Sequence, residues 1–202
     1  MTAADPDAPR SRGAYAKGIA RRQEILDRAI EVFAQRGSER TSLRAIAREV
    51  GVTHAALTHY FGSLEELLVE VYRESEADAD SHVAPPVEVT PGEAMRISAE
   101  ENRAIPGLVQ LYSRLVAASL EEGHLAAHTF VTERFARLRA SMADGVRRHQ
   151  DAGRIRADVD PELVAALVIA ASDGLQTQWL LDGAVDHEAA LSMLDRLLAP
   201  PA

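Results

Sequence analysis

The chain has no cysteine among its 202 residues, which excludes disulfides, thiolate-bound metals and a thiol nucleophile. Aromatic residues are only 4% of a composition that is 47% hydrophobic and rich in Ala and Leu, a balance that favours packed helices over sheets. No apolar run reaches the roughly 18 residues of a membrane span. The first 16 residues have no apolar centre and do not read as a secretory signal. The expectation is a cytoplasmic protein with no membrane partner. Lys17 is the single lysine among 22 basic residues, and the arginine excess runs through the whole chain, as coding bias would produce. There is no phosphate-cradling glycine loop, no supported Ser/His/Asp grouping and no metal cluster, so the reading is not an enzyme and needs no cofactor and no metal. His124 and His128 stand four apart, but Leu125 occupies the place of a metalloprotease glutamate, and both read as solvated capping residues. Arg147, Arg148 and Arg154 read as solvated charge, and Glu74, Glu76, Asp78 and Asp80 as a solvated acidic face.

What is present is unevenly distributed. The net charge of −9 argues at first against a nucleic-acid partner. Residues 1–62, however, hold 10 Lys/Arg against 7 Asp/Glu, and residues 63–202 hold the remaining 12 against 24. A basic end on an acidic body can dock phosphates while the body resists wrong-way binding. Residues 1–16 are expected to be a disordered arm, 17–62 a small helical unit and 63–202 a helical body. About nine helices are expected and no strand-like alternation is found, an all-α fold. The first helix runs from about Lys17 to Gln35 and ends at Gly37. Ser63 with Glu66 opens a fourth helix as a capping box, and residues 81–90, with Pro85 and Pro86, are expected to be a linker or disordered loop. Thr90-Pro91 and Asp160-Pro161 are further cap-plus-proline starts, Thr90 being paired with Glu93, and Pro106 opens the sixth helix.

The sharpest signal lies in residues 41–61. Leu43, Ile46, Ala47 and Val50 share one helical face, Gly51 stops that helix, and Thr53 is placed to cap the next. Leu57, Tyr60 and Phe61 then face inward, leaving His54, Ala55, Ala56, Thr58 and His59 on the outer or flanking surface. That is a helix-turn-helix whose second helix presents small and polar groups, as base edges require. Thr41 and Ser42 sit where hydroxyls can donate to phosphate oxygens beside a helix amino terminus, and Arg44 one turn in can reach a guanine edge or a phosphate. Lys17 and Arg21, with Arg10 and Arg12, can add phosphate or minor-groove contacts.

The order Phe33-x-x-x-Gly37, Thr41-Ser42-Leu43-Arg44-x-Ile46-Ala47, Gly51-Val52-Thr53-x-x-x-Leu57-x-x-Tyr60-Phe61 and Ser63-x-Glu65-Glu66-Leu67 resembles the tetracycline-repressor (TetR) family of bacterial transcription regulators. The resemblance implies a homodimer on a palindromic, inverted-repeat operator in double-stranded DNA, released by a small-molecule effector. It also implies that Tyr60 reaches the DNA backbone with its hydroxyl while its ring packs inside. Thr58 replaces the family's usual aromatic phosphate contact and Leu64 its common lysine, which implies fewer phosphate contacts and a shallower salt dependence.

The last two helices are the expected dimer surface. Ala165, Ala166, Ala170, Ala171, Ser172 and Gly174 allow close approach, and Leu167, Leu181, Leu191, Leu194 and Leu198 supply apolar area. Met95, Leu111, Tyr112, Leu115, Phe130, Gln176 and Trp179, an apolar set with a few polar handles, are the candidate ligand-binding residues. The alternative is a dimeric helical small-molecule-binding or adaptor protein without operator binding.

Overall fold

The computed structural model describes residues 12–36, 42–82, 89–105 and 107–201. Within them the chain is nine helices and no strand: α1 (Arg12–Arg36), α2 (Leu43–Val50), α3 (His54–Phe61), α4 (Leu64–His82), α5 (Pro91–Ala104), α6 (Leu108–Ser119), α7 (Leu125–Asp151), α8 (Pro161–Leu181) and α9 (His187–Leu198). Helix α1 begins five residues before the expected Lys17, which shortens the arm read over residues 1–16. Arg10, Gly37, Thr41, Pro85, Pro86 and Pro106 lie outside the described residues.

Capping chemistry sets most of the boundaries. The hydroxyls of Ser42, Thr53, Ser63 and Thr90 accept from the backbone N–H three residues on, at 3.2, 3.1, 3.0 and 3.3 Å. Asp160 Oδ1 accepts from Glu162 and Leu163 at 2.8 and 3.1 Å. Gly51 takes φ +71°, which lets the Val52 N–H return to the Ala47 carbonyl at 2.9 Å and turns α2 into α3. The box expected at Ser63 is only half made, because the Ser63 N–H goes to the Phe61 carbonyl at 2.7 Å. The start of α7 is capped from a distance: Glu65 on α4 accepts the Ala127 N–H at 3.0 Å and also holds the His124 ring. His124 stands at the N-cap position of α7 as expected, with its ring part-exposed, but the ring pairs with Glu65 and makes no capping hydrogen bond of its own.

Ile25, Leu26, Ile46, Leu57 and Phe61 pack on Leu67 and Leu68 of α4, and this core runs on without a break into Leu111, Leu115 and Phe130 of α6 and α7. A second core joins α7 to α8 through Met142, Val146, Val164, Val168 and Ile169. Among the described elements, α4 alone packs extensively on both the α1–α3 head and the body.

Helix α8 is long and apolar enough, by length and composition, to cross a membrane, a run that Glu162, Asp173 and its amides had hidden from the reading of uninterrupted apolar stretches. One side of it packs inward with Val164, Ala165, Val168 and Ile169, while Leu163 (65% exposed), Leu167 (64%) and Leu181 (85%) face out. Met193 and Leu197 of α9 are also exposed. Ala165, Ser172 and Leu191 of the expected dimer surface instead point into the protomer core, so the free face is the stripe Leu163, Ala166, Leu167, Ala170 and Gly174.

Candidate nucleic-acid interface and ligand cavity

The head presents its polar groups as one surface. Leu57 and Phe61 are buried and fix the roll of α3, which leaves His54, Ala55 and His59 exposed and Ala56, Thr58 and Tyr60 half-buried. The Thr58 hydroxyl donates to the His54 carbonyl at 2.9 Å, so toward an outside partner it has acceptor capacity left and a methyl group. Tyr60 packs its ring between His59 (6.0 Å) and Phe61 (6.3 Å). Ser42 and Arg44 are exposed at the start of α2. Arg48, in its last turn, is an exposed guanidinium on the same helix that the motif reading passed over. Lys17 is exposed, whereas Arg21 is engaged by Glu24 and Arg22 by Glu70.

A partly open cavity of about 350 Å³ lies between α4, α5, α7 and α8, within the range of small-molecule sites. Of the seven residues expected there, Met95 and Gln176 line it. Leu111, Leu115 and Phe130 belong to the core around α4, which took the apolar positions of α6 and α7 that the spacing alone could not assign. Trp179 lies outside the cavity with the Arg103 guanidinium 5.7 Å from its ring. Tyr112 stands just behind the wall, its ring stacked on Tyr72 at 5.1 Å.

The polar wall was not read from sequence. Arg134, 7% exposed, donates from Nε to Glu76 at 2.6 Å and from Nη1 to the Tyr112 hydroxyl at 3.0 Å. Tyr112 donates to Asp173 Oδ2 at 3.0 Å, and Arg137 adds a second bond to Glu76 at 3.0 Å. Burial pushes the Tyr72 phenol up to about 12 and that of Tyr112 upward as well. Burial also raises the Asp173 carboxyl, against the pull of Arg134 and the Tyr112 hydroxyl. For Arg134, burial works against the charge, but Tyr72, Tyr112 and Glu76 outweigh it and hold the guanidinium protonated. Glu76 is thus an inward ion-pair partner, not part of a solvated face, and Glu74 accepts from the Gln23 amide at 3.0 Å. One signal was available: Arg134 falls in register with Ala127, Val131, Leu138 and Met142, an arginine on the apolar side of its helix. Asp173 and Gln176 interrupt the inner side of α8 in the same way.

An exposed, capped reading helix ahead of an all-helical body with a ligand-sized cavity is the architecture of the helix-turn-helix transcription regulators that the chain matches. Residues 25–71 match the family model "Bacterial regulatory proteins, tetR family", and residues 98–200, about half the chain, match "BetI-type transcriptional repressor, C-terminal". The chain belongs to the TetR family and is a DNA-binding regulator, not an enzyme. It is 25% identical over 190 residues to the HTH-type transcriptional repressor Rv1474c of Mycobacterium tuberculosis, covering 87% of this chain and 90% of that one. Salmonella enterica GusR has the same fold, with a TM-score of 0.69 at 24% identity over 89% of this chain and 94% of that one. So does a Saccharomonospora viridis regulator solved in complex with choline, with a TM-score of 0.68 at 20% identity over 89% and 95%.

Proposed function

We propose that the chain is a repressor that binds an inverted-repeat operator as a homodimer and leaves it when a small molecule occupies the cavity. The observation that carries this reading is the outward face of α3, with His54, Ala55 and His59 exposed, together with the exposed Ser42 that caps α2 and the exposed Arg44 within it. On this reading His54, Ala55, Ala56, Thr58 and His59 meet base edges, with Ala and Thr suited to a thymine methyl. Thr41, Ser42, Thr53, Tyr60, Lys17 and Arg21 contact phosphates, Arg21 after exchanging Glu24 for one. Dimerisation belongs to the mechanism, because two reading helices must sit roughly 34–36 Å apart to meet half-sites on one side of the duplex. The apolar stripe of α8 with Met193 and Leu197 of α9 supports pairing through a four-helix interface. The repressors among its relatives support repression, and the choline bound by one structural neighbour supports a small effector.

The test is an electrophoretic mobility shift against the DNA upstream of the chain's own reading frame. The chain shifts it, and Arg44→Ala, an exposed residue whose loss leaves the fold intact, weakens the shift by about tenfold or more, the worth of one good base or phosphate contact. A shift indifferent to Arg44 contradicts the proposed reading surface. No DNA binding at all favours the adaptor alternative.

A further inference from the structure

The polar end of the cavity is built around one hydroxyl. The Tyr112 oxygen, behind the wall, accepts from Arg134 Nη1 at 3.0 Å and donates to Asp173 Oδ2 at 3.0 Å. Both partners are forked. The other arm of each fork, Arg134 Nη2 and Asp173 Oδ1, makes no hydrogen bond among the described residues. Arg134 and Asp173 line the cavity whereas Tyr112 does not, and neither free arm is sealed from water. The free arms repeat the pattern that Tyr112 already satisfies, a donor beside an acceptor. A second hydroxyl, which accepts and donates through one atom, completes it. Gln176 lies one turn beyond Asp173 on the cavity side of α8, is only 8% exposed, and makes no hydrogen bond among the described residues. A buried amide in that state is costly until something meets it.

We propose that the cavity takes an uncharged amphiphile carrying a vicinal diol, one hydroxyl bridging Arg134 Nη2 to Asp173 Oδ1 and the other meeting the Gln176 amide. This deepens, and rests on, the reading of the cavity as the effector site. Charge selects against ions. Glu76, Glu101 and Asp173 share the wall with Arg134, Arg137 and Arg148, three of each sign. Glu76 already holds both Arg134 and Arg137. An anion has to break that pairing or lie beside Glu101, and a cation has to lie against the free Arg134 nitrogen. A neutral diol leaves every ion pair standing and uses only the atoms that are free. Met95, Leu138, Met142 and Ile169 supply the apolar wall for the rest of the ligand, Leu138 one turn along α7 from Arg134.

Isothermal titration of the full chain, below micelle-forming concentrations, with 1,2-octanediol, octyl glucoside, 1-octanol, octanoate and octyltrimethylammonium tests this without any DNA. At least one of the two diol probes binds, and which one separates a simple glycol from a sugar head. 1-Octanol, lacking the second hydroxyl, binds about fivefold or more weakly, and the two ions about tenfold or more weakly. Gln176→Leu exchanges a partnerless buried amide for an apolar group of similar size. It keeps or raises the melting temperature and brings the diol down to the level of 1-octanol. Asp173→Asn replaces a charge-assisted bond by a neutral one and weakens diol and 1-octanol together by about fivefold. An ion that binds as tightly as the diols, no binding of either diol probe, or a Gln176→Leu protein that still prefers the diol to 1-octanol overturns the inference. Each of those results leaves the mobility shift, and with it the regulator reading, standing. A diol that binds as described yet leaves the DNA shift unchanged sinks the effector reading instead.

Discussion

Leu167→Glu tests the pairing surface most severely. In the protomer Leu167 is 64% exposed on the free side of α8, flanked by Leu163, Ala166 and Ala170. Full burial of a leucine is worth about 1.5–3 kcal/mol, so burying the exposed two-thirds contributes about 1–2 kcal/mol per copy. A two-fold interface uses each residue twice, which makes the loss about 2–4 kcal/mol before the cost of desolvating two carboxylates. The dimer dissociation constant rises by about 30- to 1000-fold or more. Sedimentation velocity over a concentration series measures it, and the DNA mobility shift weakens in parallel. Leu120→Glu, at an equally apolar residue 85% exposed at the α6–α7 turn, is the control and leaves assembly unchanged. A Leu167→Glu protein that stays dimeric at the same concentrations refutes the assignment of this face.

Other perturbations probe the parts separately. Thr53→Ala removes the cap on α3, whose hydroxyl accepts from the Ala56 N–H at 3.1 Å, and costs about 1 kcal/mol in urea unfolding, while Thr53→Ser restores most of it. Asp195 of α9 accepts from the Thr90 hydroxyl at 2.6 Å and the Gly92 N–H at 2.8 Å, tying α9 to the start of α5. Asp195→Ala costs about 1–2 kcal/mol by the same assay, and an unchanged midpoint contradicts that tie. His187 is 2% exposed with no hydrogen-bond partner on either ring nitrogen, and burial, then the Arg103 charge, push it below the ordinary imidazole range. A depressed imidazole takes up protons on unfolding, so its contribution to stability is intact above about pH 6.5 and falls as the pH drops below that unfolded value. Melting temperatures fall between pH 7 and pH 5.5, His187→Leu flattens part of that fall, and an identical slope in the variant counts against the assignment.

The head was legible because its signals are local. Gly51, Thr53 and the Leu57/Phe61 pair fix turn, cap and roll within a dozen residues, and the structure has each of them in those roles. The expected helices fall close to their places in the body for the same reason, through Thr90-Pro91 and Asp160-Pro161. The cavity wall was not legible because it is assembled across the chain. Glu76 meets Arg134 across 58 residues and Tyr112 meets Asp173 across 61, and no periodicity records such pairings. Phe130 and Leu115 carried the apolar spacing expected of a pocket, yet α4 covers them, so their pattern reported burial and not access. The two sides of α8 illustrate the same limit: sequence offered Ala165 and Leu167 alike to the dimer surface, while only packing decided that Ala165 faces in and Leu167 faces out.

Sequencing of genomic fragments retained by the full chain tests the central claim most directly. The account predicts enrichment of an inverted repeat whose half-site centres lie about one helical turn apart, or a multiple of it, with retention lost in Arg44→Ala and Leu167→Glu. Retained fragments without a repeat, or a repeat still bound by the Leu167→Glu protein, contradict it.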